Sequence, residues 1–216
     1  MQPDESKQQI LDDFGDALRD IVSIVGGAYP AAYRFVQDHH DAAVARDHYP
    51  LERRAMIEDR FAALPSRYPH IRSVPSLNKK DTSGYYRLSY NRSVLTQSKT
   101  EGLLSLPRDA DHRRTLATTP QLALGLFAPE SQARAEDADA VYGVVVHGPD
   151  EADCSRMAFI GIQIPDAAGK TILAHINLFH LWDEGHGPVA FPTVPIIPAA
   201  PRLKIVARQV EQEPGG

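Results

Sequence analysis

The stretch AHINLFHLWDEGHG, residues 174–187, concentrates side chains that can do chemistry: His175, His180, His186, Asp183, Glu184 and the chain's only tryptophan, Trp182. Imidazoles and carboxylates hold a divalent metal when three or four converge within ~2.0–2.2 Å of one ion. They move protons when they lie within hydrogen-bond reach of a substrate. Spacing argues against a simple ligand run here. His175 and His180 are an odd number of residues apart, so on one strand they point to opposite faces. Nothing of the HExxH type is present. A narrower set survives: His175 on a strand, Asp183, Glu184 and His186 on the loop beyond it, and His147 at the end of a neighbouring strand. These five are the candidate acid–base residues, and neither a metal nor a cofactor is expected.

A second constellation is electrostatic. The chain is 216 residues long with net charge −5, but the charge is segregated. Residues 1–66 carry 7 basic and 12 acidic side chains, residues 67–114 carry 10 and 4, and residues 115–216 carry 6 and 12. Tyr68, Tyr85, Tyr86 and Tyr90 are interleaved with the basic residues of the middle segment. Cations neutralise phosphates and aromatic rings stack on exposed bases. Lys79, Lys80, Tyr85, Arg87 and Arg92 are therefore the candidate binding residues, with Tyr85 and Arg87 on one face of a strand. No zinc-finger, helix-turn-helix or RNP signature accompanies them, so the partner class stays open between nucleic acid and protein.

The elements that must position these groups follow from periodicity. Ile10, Leu11, Phe14, Leu18, Ile21, Val22 and Val25 recur at spacings of three and four, the apolar stripe of a helix. Gly26-Gly27 reads as its stop, Pro30 as the first turn of a second helix, and Pro50 as the opening of a third that ends before Pro65. Near residue 70 the period becomes two. SGYYRLSY (83–90) reads as a strand, QLALGLF (121–127) suits another, and AVYGVVVHG, MAFIGIQIP and TILAHINLFHLW form an antiparallel meander over 140–182. Pro192, Pro195, Pro198 and Pro201 recur every three residues, as along one edge of a polyproline II strap. LKIVARQ (203–209) reads as a last strand.

The expected architecture is α+β: N-terminal helices packed on an antiparallel sheet, crossed by the proline strap and completed by a C-terminal strand. Residues 1–66 form the helical segment, 67–209 the mostly β segment of the same domain, and 210–216 a frayed tail. Within the meander, pairing Ile164 with Ile172 sets Gly161 across from His175, and pairing Val144 with Ile160 sets Gly143 beside Gly161. Two missing side chains beside one imidazole would make a shallow trough, although a one-residue slip destroys it.

Composition narrows the function classes. No uncharged stretch offers the ~20 apolar helical residues that span a bilayer. A single cysteine, Cys154, forbids an internal disulfide and suits a reducing cytoplasm. Cys154 lies among carboxylates, which weaken a thiol as a nucleophile. There is no Walker loop, GxGxxG, GxSxG or CxxC, and the terminal Gly215-Gly216 resembles the ends of ubiquitin-like modifiers in those two residues alone. The expectation is a cytoplasmic binding or regulatory protein, leaning away from an enzyme, that acts on a protein or nucleic-acid partner through segment 67–114. The alternative is an enzyme or small-ligand binder using the face around Gly143, Gly161 and His175.

Overall fold

A computed structural model describes residues 2–77, 84–108, 113, 116–117, 140–166 and 168–179. Three helices come first: α1 (Pro3–Phe14), α2 (Ala17–His39) and α3 (Ala42–Ala63). The first break falls at Gly15 and Asp16, with the Gly15 amide donating back to the Leu11 carbonyl. This corrects the expectation of one helix running through to Gly26-Gly27. Both glycines and Pro30 lie inside α2, and Pro50 lies inside α3. An interior proline costs ~3 kcal/mol. Burial of Ile21, Val22, Val25, Ala28, Tyr29 and Ala32 along one side of α2 offsets it. The third helix opens instead at Asp41, whose Oδ1 accepts from the Val44 amide at 3.1 Å. Tyr29 meets Arg53, Tyr33 meets Tyr49 and His40 meets His48, so α2 and α3 run antiparallel.

Among the described residues six strands follow: β1 (Arg72–Leu77), β2 (Gly84–Tyr90), β3 (Ser93–Lys99), β4 (Val141–Pro149), β5 (Met157–Pro165) and β6 (Ile172–Asn177). They form one sheet in sequence order. Every pairing is antiparallel except β3 with β4, which is parallel. The α+β architecture and the antiparallel meander of β4, β5 and β6 match the sequence-based expectation. The proposed strands 121–127 and 203–209 and the proline strap lie outside the described residues.

The helices cover one face. Ile10, Phe14, Leu18, Ile21, Val25, Tyr29, Ile57 and Phe61 pack on Leu88, Leu95, Val145, Ile160, Ile162 and Ile176. The other face carries a second cluster, Val94, Leu116, Tyr142, Val144 and Val146, with Leu103 and Ala117 against it. Gln163 ties that cover down by donating through Nε2 to the carbonyls of Leu103 (2.7 Å) and Ser105 (3.0 Å). Strand β4 is thus buried on both faces, which explains its unbroken apolar run VYGVVV.

Candidate functional site

A chain of buried and half-buried polar groups runs between the sheet and the helices. His147, on β4, is 2 % exposed and faces the helical layer. Its Nδ1 lies 2.8 Å from the Tyr29 hydroxyl of α2, and its Nε2 lies 3.0 Å from Gln97 Oε1 on β3. Gln97 Nε2 donates to Glu58 Oε1 of α3 at 2.7 Å, and the Tyr86 amide donates to Glu58 Oε2 at 2.6 Å. The carboxylate sets the polarity of the chain. Gln97 gives its amide protons to Glu58, so its oxygen must accept from His147 Nε2–H, and His147 Nδ1 must accept from Tyr29. The donor direction is Tyr29 to His147 to Gln97 to Glu58.

Beyond Tyr29 lies Arg53, 4 % exposed, with its guanidinium 4.5 Å from the centre of the Tyr29 ring and 5.0 Å from that of Tyr49. Tyr49 is hydrogen-bonded to Arg53, and its hydroxyl donates to the Cys154 carbonyl at 2.5 Å, on the exposed loop between β4 and β5. The electrostatics follow from burial. Desolvation, with the nearby charges of Arg53 and then Lys99, holds the His147 imidazole down at about 3, so the ring is neutral. Desolvation pushes the Tyr29 hydroxyl up against the opposing pull of Arg53. It also pushes Glu58 up, against hydrogen bonds from Gln97 and Tyr86 and the charge of Arg54.

These groups look like an acid–base relay, but the chemistry resists that use. A proton cannot hop through the Gln97 amide without forming its high-energy imidic tautomer. A histidine held at about 3 is also a poor base at neutral pH. The relay polarises and positions; it does not conduct.

The glycine trough is corrected by the register. Gln163, not Gly161, is the partner of His175, and Gly161 pairs with Asn177. That slip of two residues preserves faces. The β4–β5 pairing moves by an odd number, with Val146 beside Gly161 and His147 beside Ile160, so Gly143 and Gly161 lie on opposite faces. Each missing side chain makes room for a neighbour. A Cβ on Gly143 would meet Ile162 Cγ2 and Leu95 Cδ2 at 2.8 Å, and one on Gly161 would meet Leu103 Cδ1 at 2.5 Å and the Ile176 carbonyl oxygen at 2.7 Å. His175 is exposed on the face away from the helices, so it does not converge with His147. Asp183, Glu184 and His186 lie outside the described residues. Among the described residues no group of three or more His, Cys, Asp or Glu could hold a metal ion.

The basic segment is only partly surface. Tyr85 and Arg87 do share a face, the one away from the helices, but they are 9 % and 5 % exposed. Burial pushes the Tyr85 hydroxyl up, with Arg87 opposing. Arg92 is half-buried in the turn between β2 and β3. Beside it Asn91 adopts φ +44° and donates to Asp13 Oδ1 at 3.1 Å. Lys79 and Lys80 lie outside the described residues.

The residues that sequence reasoning missed did leave a signal. Tyr49, Arg53, Ile57 and Phe61 recur every four residues, so Arg53 occupies a core position of α3. A charge in an apolar stripe is the mark of a buried polar site. The fold and this site define an α+β protein whose helical hairpin is joined to its sheet by a buried polar chain. No family model matches the chain, and neither a curated protein nor a solved structure resembles it. Among the described residues no helix is long and apolar enough to cross a membrane.

Proposed function

We propose that the protein is a cytoplasmic binding or regulatory protein that takes an acidic partner at the β1–β2–β3 end of its sheet. One observation carries the reading. Strands β1 to β3 and the Asn91-Arg92 turn hold the exposed Arg72 and Lys99, the half-buried Arg92 and the buried Arg87, and no Asp or Glu. Lys79 and Lys80 follow β1 in sequence and add two more cations to this basic segment. Among the described residues β1 is an outer strand, hydrogen-bonded only to β2. An outer strand offers unpaired backbone groups that an extended segment can join. Burial of Tyr85 removes the ring that would stack on a base, so an acidic protein segment fits better than a nucleic acid. The cytoplasmic part of the reading rests on the single cysteine, Cys154, which is exposed.

The test reverses Lys79, Lys80 and Arg92 to glutamate together, leaving Arg87 alone because a carboxylate at that buried position would cost the fold. The probes are an extended peptide of alternating glutamate and valine and a single-stranded RNA oligonucleotide. Exposed charge pairs contribute ~0.2–1 kcal/mol each, so the triple variant should bind the peptide about tenfold more weakly, with a shallower salt dependence. Unchanged peptide affinity in a folded triple variant overturns the proposal. Preference for the RNA overturns its protein-partner form.

A further inference from the structure

Arg53 carries a charge that the described structure does not neutralise. The residue is 4 % exposed. Among the described residues the ion pairs are Lys7–Asp4, Arg46–Asp47 and Arg67–Asp20, and none involves Arg53. The buried carboxylate on the same helix, Glu58, is committed to the Tyr86 amide and Gln97. The loop beside Tyr49 has two aspartates that bind their own backbone. Asp150 Oδ1 accepts from the amides of Ala152 and Asp153, and Asp153 Oδ1 accepts from the Ser155 amide and hydroxyl. Arg53 is left with two tyrosine faces and the Tyr49 hydrogen bond. Burying an ion costs several kcal/mol. Desolvated cation–π contacts, at ~2 kcal/mol or more each, offset part of that cost without supplying a counter-charge. A fold that keeps this charge inside has a use for an anion beside it.

We propose that Arg53, walled by Tyr29 and Tyr49, is the anchor of a binding site for a small organic acid. The carboxylate of that acid meets the planar fork of the guanidinium, which matches a carboxylate with two parallel hydrogen bonds. A single fixed cation suits a monoanion better than a phosphate, whose second charge would need another. Lys99, the other cation acting on His147, is exposed. The ring walls favour an acid with a compact apolar body. Access runs past Tyr49, whose hydroxyl is clipped to the Cys154 carbonyl and whose ring packs edge-on against the half-exposed Tyr33 at 5.9 Å. Releasing the clip lets the Tyr49 ring swing and uncovers the guanidinium. The neutral relay behind Tyr29 keeps a competing cation away, because His147 stays uncharged there.

The test follows the Arg53 Nε–Hε resonance in the ¹⁵N-labelled full chain, assigned by its loss in Arg53→Met. Sodium benzoate, benzamide and inorganic phosphate are titrated separately. Benzoate is expected to move the resonance saturably, while benzamide and phosphate leave it unmoved. In Arg53→Met, which removes the buried charge and should fold, benzoate affinity read from the Tyr29 and Tyr49 ring signals should fall about tenfold or more, the worth of one charge-assisted hydrogen bond. Tyr49→Phe lacks the clip and should bind benzoate several-fold tighter. Equal response to benzamide overturns the carboxylate assignment, response to phosphate alone overturns the monoanion, and no benzoate response in either wild type or Tyr49→Phe overturns the site.

Discussion

Replacing Glu58 by glutamine or methionine separates what the buried carboxylate does for stability from what its charge costs. Both of its oxygens accept hydrogen bonds, from Gln97 Nε2 at 2.7 Å and the Tyr86 amide at 2.6 Å. Methionine fills similar volume but accepts neither, so two part-buried donors lose their partner at ~1–3 kcal/mol each, or ~2–6 kcal/mol together. Glutamine keeps both contacts. Its Oε1 takes the Tyr86 amide, and its Nε2 then donates to Gln97, which forces the Gln97 amide to turn over. The turned Gln97 donates to His147 Nε2, and His147 carries its proton on Nδ1, toward Tyr29. Glu58→Gln therefore flips the tautomer of His147, two side chains away. Both variants lack the charge, so the gap between them reads the two hydrogen bonds less the apolar burial that methionine gains. Urea unfolding should place Glu58→Met below Glu58→Gln by ~2–6 kcal/mol less that apolar gain. The ¹⁵N shifts of His147 should report Nε2–H in wild type and Nδ1–H in Glu58→Gln. Equal stability of the two variants, together with an unchanged tautomer, would refute the polarity assigned to the chain.

The charge itself is read from pH. Burial raises the Glu58 carboxyl above its ordinary 4.5. A raised folded-state value favours the protonated form, so its stability contribution is complete below 4.5 and is lost as pH rises through the raised value. His147 works the other way: its value falls from 6.5 to about 3, so its contribution is complete above 6.5 and is lost on acidification toward 3. Comparing wild type with Glu58→Gln at each pH cancels most of the histidine contribution. The glutamine variant should gain on wild type as pH rises above 4.5; a loss there would contradict the burial argument.

Two further outcomes are expected. Tyr29→Phe leaves His147 Nδ1 buried without its hydrogen bond and should cost ~1–3 kcal/mol in urea unfolding; a loss near zero would mean the contact is dispensable. Gly161→Ala drives a Cβ against a backbone oxygen at 2.7 Å, which cannot step aside as a side chain can. It should lower stability by ~1–3 kcal/mol, and a thermal midpoint equal to wild type would show that the β5–β6 pairing yields there.

The sheet was the more legible half of the fold. The meander of β4, β5 and β6 announced itself through three β-rich runs with short links, and the helical start through its apolar stripe. Helix boundaries misled because Gly26-Gly27, Pro30 and Pro50 are local breakers, while the burial that overrides them belongs to tertiary structure. Register misled for a related reason. Runs such as VYGVVV are apolar on both faces, because Leu103 and Leu116 cover the side away from the helices. Alternation then carries no information on which residue faces which layer. His147 was found, but with the wrong companions: its partners Tyr29, Gln97 and Glu58 come from three separate elements, and no spacing in the chain connects them. Arg53 was legible in principle, as the one charge in the stripe formed by Tyr49, Ile57 and Phe61.

Backbone amide shift mapping tests the central reading most directly. The ¹⁵N-labelled chain is titrated with the alternating glutamate–valine peptide at low and at moderate salt. Shifts should gather on residues 72–77 and on the Asn91-Arg92 turn, weaken as salt screens the charges, and vanish in the Lys79, Lys80 and Arg92 reversal. Shifts centred on the helical hairpin or on β6, or shifts that persist in the reversed variant, would contradict an acidic partner at this end of the sheet.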